Sequence, residues 1–456
     1  MSLIMKEKLP LIILLVLALA TRFIFLAYPT EVVFDEVHFG KFISAYSTHQ
    51  YYFDIHPPLG KLIIAGFSSL FSFEQGQAFK QIGEQANSHQ LLVLRFLPAL
   101  FGVLLPLVFY GIIRVLGGSI WAAFLAGFLV VFDNAFLIES KFILVDSFLF
   151  FFGFLSLWLA LCAKKQELFW KRLTIFALAA VSAGLAVSIK WTGLSFVGIV
   201  GFIAIIDFFK NISWKKFGEL GLKILTLLGI VFIIYALPFI IHFRLLNLSG
   251  PGDAFMSREF QQTLAGNTAG QGNPLPFWAK FAELNQKMYF YNSTLTNTHP
   301  DGSKWSEWLV MRKPVWYWHK DAGDKAGDIY LIGNPLIWLS CLTVLFLSIF
   351  KFWKNGRWIL LLGFFANLLP FIFVSRVSFL YHYLPSLGFA ILLLALFFDR
   401  KKTQEVRPPA PYPAVFYWGY LALVLIAFLA LSPISYGFIV PKKLDIIYQF
   451  LVNLLH

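Results

Sequence analysis

The chain is interrupted again and again by apolar runs about as long as a bilayer core is thick. They fall at 9–28, 92–113, 119–138, 142–163, 173–189, 192–209, 222–242, 334–350, 358–374, 378–398 and 413–432. About 20 such residues make a helix that crosses roughly 30 Å of hydrocarbon. No water is available there to satisfy open amides, so the spanning backbone must close its own hydrogen bonds. Continuous apolar runs point to helices, since a barrel strand alternates. The expectation is an all-α polytopic membrane protein, one domain over 1–456, with eleven spans. Composition agrees: 59% of residues are hydrophobic and 13% charged, against about 25% charged in soluble domains.

A net charge of +13 raises the question of nucleic acid, but the distribution argues against it. The cations sit in short clusters between apolar runs: Lys6 and Lys8; Arg114; Lys164, Lys165, Lys171 and Arg172; Lys210, Lys215, Lys216 and Lys223; Lys351, Lys354 and Arg357; Arg400, Lys401, Lys402 and Arg407. Clusters of this kind mark cytoplasmic loops. The N-terminus is then inside, its first apolar run an uncleaved helix rather than a leader, and 433–456 lies outside. A basic, Pro-rich linker at 399–413 is cytoplasmic. Two long segments, 29–91 and 243–333, fall on the outer face, where loops of such length tend to be functional. Residues 59–72 are apolar but too short to span, and read as an interfacial or re-entrant helix. The two cysteines, Cys162 and Cys341, lie in apolar runs and support neither a disulfide framework nor a zinc site.

Polar chemistry gathers on that outer face. FDEVHFGKF (34–42) carries the adjacent carboxylates Asp35 and Glu36. Such neighbours repel and shift in pKa, which suits one of them to act as a base; a solvated acidic loop or helix cap would read the same. YYFDIHPPLGK (51–61) sets Asp54, His56 and Lys61 beside a stiff Pro57-Pro58 turn, suited to an anionic ligand or simply a satisfied turn. Arg95 and Arg22 lie near span ends, where an arginine is costly unless it pairs, snorkels or binds phosphate. Asp146 sits at the membrane boundary and needs a partner, for which Lys141 is a candidate; Lys190-Trp191 adds another outer-edge cation. Two carboxylates, histidines and cations on one face of a lipid-embedded body suit a lipid-linked phosphate entering from the membrane and an acceptor arriving from water. A transporter could hold the same residue types.

FDEVHFGKF, YYFDIHPPLGK, LRFLPALFG (94–102), VFDNAFLIESKFILVDSFLFFF (131–152), SIKWTGL (188–194), HPDGSKWSEWLVMRKPVWYW (299–318), IGNPLIW (332–338) and RVSFLYHYLPSLGF (376–389) together resemble the protein O-mannosyltransferase family, in order and over almost the whole chain. The likeness is to a compact prokaryotic type, because 243–333 is too short for the MIR domain of the eukaryotic members. The resemblance implies a GT-C helical bundle with an external active site in the 29–91 loop. It implies an inverting transfer of mannose from polyprenyl-phosphate mannose to Ser/Thr hydroxyls of exported proteins at the cell membrane. Asp35 matches the proposed catalytic base, and Glu36 would orient the acceptor or tune Asp35. Arg95 would take the donor phosphate, with His56, Lys61, Lys190, Arg376 and His382 as candidates for the same pocket. Tyr381 and Trp191 would line the lipid or sugar site, and Arg22, Asp54, Lys141 and Asp146 would support it. No metal or other cofactor is expected. Besides donor and acceptor, membrane lipids and the protein-export machinery are the expected partners.

Two other readings stay open. A GT-C transferase with a lipid acceptor, as for aminoarabinose, shares the fold. A flippase or transporter would place charges at mid-span and break helices in matching halves, whereas here the polar residues collect at one face.

Overall fold

A computed structural model of the chain describes residues 3–71, 79–209, 212–269, 273, 275–294, 298–351, 358–399 and 414–456. Helices dominate, and where polar residues flank the apolar runs they cap them. Asn87 accepts from the His89 and Gln90 amides at the start of α4 (Ser88–Val115), and Ser119 accepts from Ala122 at the start of α5 (Ile120–Val131). Before these come α1 (Leu3–Phe23), α2 (Glu36–Thr48) and α3 (Leu59–Ser68). After them follow α6 (Asn134–Lys141), α7 (Asp146–Lys164), α8 (Phe169–Ile189), α9 (Leu194–Phe209) and α10 (Trp214–Leu245). The next connection holds α11 (Arg258–Gln261), α12 (Phe277–Thr294) and α13 (Trp305–Trp308). The chain ends in α14 (Pro335–Lys351), α15 (Trp358–Leu368), α16 (Leu384–Phe398), α17 (Ala414–Tyr436) and α18 (Lys442–Asn453). The bundle centres on α4, which packs on α1, α5 and α7, and on α16, which packs on α5, α14 and α15.

This is a multi-pass integral membrane protein, but the expected eleven spans are not all reproduced. Seven helices among the described residues are long and apolar enough to cross a bilayer, and α5–α6, bent by 59° at Phe132–Asp133, makes an eighth if counted as one. The run at 9–28 is helical only as far as Phe23. The runs at 334–350 and 358–374 form shorter helices, and α15 gives way to a 3-10 turn, Leu369–Phe373, where Pro370 cannot continue it. Residues 59–68 form the short α3. Apart from Asp399, the basic linker expected at 399–413 lies outside the described residues.

Beside the helices stands one small sheet. β1 (Val315–Ala322) and β2 (Lys325–Leu331) form an antiparallel hairpin, extended by the short β3 (Val440–Pro441). The turn uses Gly323 at φ 77°, a region open to glycine. A register shift between Trp316 and Trp318 turns both Tyr317 and Trp318 inward, against strict alternation. Those two residues tie the hairpin to the site.

The Asp54 segment is also held by backbone. The Tyr51 amide donates to Leu248 O (2.9 Å), and the Gly252 amide donates to Tyr51 O (3.0 Å). The chains touch so closely that a Cβ at Gly252 would lie 2.4 Å from Tyr52 C and 2.5 Å from Phe53 N. Gly252→Ala is therefore expected to destabilise by about 1–3 kcal/mol, as overpacked sites do. Gly218→Ala, whose Cβ meets nothing within 4 Å, should melt no lower than the parent in the same thermal scan.

Candidate active site

The Asp35-Glu36 pair is pulled apart in role by its surroundings. Glu36 is fully buried. Its carboxylate accepts from the Val33 amide (2.9 Å), the Ile143 amide (2.9 Å) and Arg95 Nε and Nη2 (2.8 Å each). Asp35, one residue earlier and partly exposed, makes no side-chain cap to α2 and accepts no hydrogen bond from the described residues. One carboxylate is saturated and the other is available.

Arg95 does not meet the expectation of a phosphate ligand. Its remaining N–H groups go to Leu26 O (3.3 Å), Pro29 O (2.9 Å) and Glu31 O (3.0 Å). All five donors of the guanidinium are consumed inside a fully buried shell, beneath which lies the Phe142 ring. Glu36, likewise, has no lone pair left for an acceptor. The two form a structural pair that fixes the start of α2 against α4 and the α6–α7 connection.

The residue before Asp35 is clamped from the other side. Phe34 has φ 45°, uncommon for a bulky side chain. Its ring stacks on Tyr317 (3.9 Å between centroids, 11°), and its amide donates to Tyr317 O (3.0 Å). The Tyr317 hydroxyl donates to Glu139 Oε1 (2.5 Å), and Trp318 Nε1 donates to Glu31 Oε2 (2.8 Å). A strained turn persists only when its surroundings over-determine it, and here the hairpin does so. Burial raises the pKa of Asp35; His38 and Lys190 counter this, while Asp146 and Asp54 add to it.

Beside this turn lies a cavity of about 370 Å³ between α7, α9, α15 and α16, lined by Asp146, Lys190, Trp191, Asn367, Tyr381 and His382 among others. Lys190 is placed there because α8 stops at Ile189 and the chain runs extended for one residue. Its ammonium donates to Asp146 Oδ2 (2.6 Å) and lies 5.5 Å from the centre of the Tyr381 ring. Asp146 is thus partnered by Lys190 and not by Lys141, which reaches Tyr28 O instead. Chain separation explains the miss: Lys141 is closer in sequence, but α6 ends between the two and turns its last side chain away.

Lys61 pairs with Asp54 and donates to His56 O (2.9 Å), so its charge is already matched. Asp54, His56 and Lys61 line a small void of about 10 Å³ with Tyr52 and His242. Burial drives the pKa of His56 well down, helped by Lys190, Arg376 and Lys61, so the ring is neutral near pH 7. Arg376, in the connection before α16, has a pKa lowered by burial and partly restored by Tyr381 and Asp54. His382 stacks on Tyr381 (4.5 Å, 28°) and accepts from the Phe379 amide (3.1 Å). Arg22 lies away from the cavity and donates to Val131 O (2.7 Å) and Val130 O (2.9 Å), closing the end of α5. No three His, Cys, Asp or Glu side chains among the described residues form a metal cluster.

Several members escaped the sequence reading. Trp191 Nε1 donates to the Tyr235 hydroxyl (2.9 Å), which donates to Asn285 Oδ1 (2.5 Å). Asn292 Nδ2 donates to Ile55 O (2.9 Å). Through these bonds α12 grips both the cavity wall and the His56 turn. Tyr317 and Glu139 lie 178 residues apart, and no local pattern announces their contact.

A bundle of membrane helices with loop helices and an acidic turn at one end is the GT-C architecture, and solved structures share it. The Saccharomyces cerevisiae protein O-mannosyltransferase Pmt1-Pmt2 complex bound to the sugar donor matches with a TM-score of 0.87 at 21% identity, over 96% of this chain and 91% of that one. ArnT from Cupriavidus metallidurans bound to undecaprenyl phosphate matches at 0.55 and 13% identity, over 92% and 70%. In sequence, the family model for dolichyl-phosphate-mannose-protein mannosyltransferase matches residues 12–247, and that for the C-terminal four-transmembrane region of protein-O-mannosyltransferase matches 277–448. The chain belongs to the dolichyl-phosphate-mannose-protein mannosyltransferase family. Drosophila melanogaster protein O-mannosyltransferase 1 is 34% identical over 58% of this chain and 31% of its own length. Dolichyl-phosphate-mannose–protein mannosyltransferase 1 of S. cerevisiae is 36% identical over 59% and 34%. The chain spans about a third of the length of these curated relatives.

Removing one member of a buried ion pair strands the other, at a cost of about 3–5 kcal/mol. Glu36→Gln and Arg95→Met should each lower the melting temperature in detergent markedly. An unshifted melt in Glu36→Gln would show that the pair does not hold the turn.

Proposed function

We propose that the protein transfers mannose, with inversion, from polyprenyl-phosphate mannose to Ser/Thr hydroxyls of exported proteins, and that Asp35 is the base. The observation that carries this reading is the contrast within one dipeptide: Glu36 accepts four hydrogen bonds and Asp35 none from the described residues. In the reaction, Asp35 takes the proton as the hydroxyl oxygen bonds to the anomeric carbon. The bond from that carbon to the phosphate oxygen breaks, and the electron pair leaves with the polyprenyl phosphate. A phosphate is a competent leaving group, so it needs cationic stabilisation more than a general acid. Lys190 is the cation best placed for this, in the cavity wall and shared with Asp146. His382 lines the same space, with Arg376 close enough to Tyr381 to feel its charge; Tyr381 and Trp191 offer aromatic faces to sugar or lipid. His56, Lys61 and Asp54 shape the adjoining turn.

On this reading the basic clusters face the cytoplasm with the N-terminus, and Asp35 lies outside, in the cell membrane. The 29–91 segment is then the catalytic loop and 243–333 a second external loop within one membrane domain. Acceptors arriving from the export machinery would meet the site from water. The family shared with protein mannosyltransferases favours a protein acceptor over a lipid one.

Asp35→Asn is expected to lower transfer of radiolabelled mannose to a Ser/Thr-rich peptide by at least about 100-fold, the usual share of a general base. Because the folded pKa of Asp35 is raised, protonation stabilises the fold and ionisation costs stability. Asp35→Asn should therefore melt no lower than the parent while losing activity. For the same reason the rate should rise with pH through an acid limb lying above the ordinary aspartate value of about 3.9. An active Asp35→Asn enzyme would remove Asp35 as base; label appearing only in an added lipid would change the acceptor class.

Lys190→Gln should reduce kcat by about 10²–10³, as loss of one charge-stabilising donor does. Lys61→Gln, paired like Lys190 but lying outside the cavity, should affect stability more than kcat. Equal kcat losses in the two would contradict the assignment of the leaving group to Lys190.

A further inference from the structure

The last helix, α18, is built inside out. Its buried residues, Asp445, Tyr448 and Val452, occupy an arc of about 60° at 100° per residue. On the opposite side stand Ile446, Ile447, Phe450, Leu451 and Leu454, between 42 and 66% exposed. Two polar side chains turn inward instead: Gln449 Nε2 donates to Asp445 Oδ2 (2.8 Å) and reaches Asp328 on β2 (3.4 Å), while Lys442, Lys443 and Asn453 stay exposed. A helix in water would place these groups the other way round.

We infer that α18 lies in the bilayer interface, with its Ile446–Leu454 face buried among the acyl chains of the outer leaflet beside α17. Three observations specify lipid as the occupant. The Tyr448 hydroxyl donates to Ala430 O (2.9 Å). Ala430 is six residues before the end of α17 at Tyr436, or roughly 9 Å inside it at 1.5 Å per residue. The bond therefore holds α18 against a segment apolar enough to cross a bilayer. Second, α17 presents its own exposed Leu423, Ile426 and Leu429, so the two helices carry apolar surface exposed in the same region. Third, the exposed Lys443 sits at the start of the apolar face, where its stem can lie along lipid and its ammonium reach a phosphate headgroup.

The anchor has a place in the machinery. α18 packs on β2 and β3, and its end is tied back to the chain before β1: the Lys313 amide donates to Leu455 O (2.9 Å) and Arg312 Nη2 to His456 O (3.2 Å). The same hairpin carries Tyr317, which clamps Phe34 beside Asp35. The bilayer surface thereby supports the hairpin that shapes the catalytic turn.

The test uses the full chain in lipid nanodiscs, with Ile446→Cys, Phe450→Cys, Leu454→Cys or Ala322→Cys labelled with a nitrobenzoxadiazole maleimide. The unsubstituted chain, treated identically, gives the blank for Cys162 and Cys341. Phosphatidylglycerol bearing a nitroxide near the top of its acyl chain should quench the three α18 labels several-fold more than the label at 322, in the exposed hairpin turn. Aqueous iodide should show the reverse order. Iodide quenching of all three α18 labels equal to that at 322 would overturn the inference. So would quenching by neither reagent, which would mean that a protein surface covers the helix. The measurement reads no activity and gives the same answer in either leaflet, so its failure is distinct from failure of the proposed reaction or sidedness.

Discussion

Everything at the Asp35 turn depends on a charge pair that sees no water. Glu36 and Arg95 are both fully buried and exhaust each other's hydrogen-bonding capacity together with two amides and three carbonyls. Desolvating two ions costs several kcal/mol each and is offset only when geometry and neighbours are complete. The completeness is what makes the pair directional. It joins the 26–33 connection, the start of α2, α4 and the start of the α6–α7 connection in one arrangement, so Asp35 has a defined position relative to the membrane helices.

The hairpin works against the same turn from the opposite side. Tyr317 stacks on Phe34 and hydrogen-bonds Glu139, while Trp318 engages Glu31, which also accepts from Gln85 and Lys320. The bulge that turns two consecutive aromatics inward makes both contacts available from one strand. Held between an ion pair and a stacked ring, Asp35 keeps a carboxylate that is partly buried yet unbonded by the described residues. Such a group is costly to stability.

The cavity follows the complementary rule. Its cation is not a free charge: Lys190 is balanced by Asp146, as Lys61 is by Asp54 in the separate small void. Neither ammonium is left bare in a low-dielectric wall.

Membrane character, helical build and the grouping of polar chemistry on one face were legible from the sequence alone, because hydrocarbon thickness and backbone satisfaction act on contiguous residues. The acidic dipeptide and the His-Pro-Pro turn were visible for the same reason of adjacency. What no local pattern could decide was how the two carboxylates divide their roles, since both look alike until Arg95, 59 residues on, claims one of them. For the same reason the sequence does not tell that Arg95 spends its donors on Glu36 and three carbonyls, or that Asp146 is met by Lys190 and not by the candidate Lys141. Nearness in sequence and cost in the membrane say that a charge needs a partner, but only three-dimensional packing says which one. The hairpin hidden in a Trp-rich loop and the inverted face of α18 belong to the same class, because burial is a property of neighbours that the chain supplies from far away.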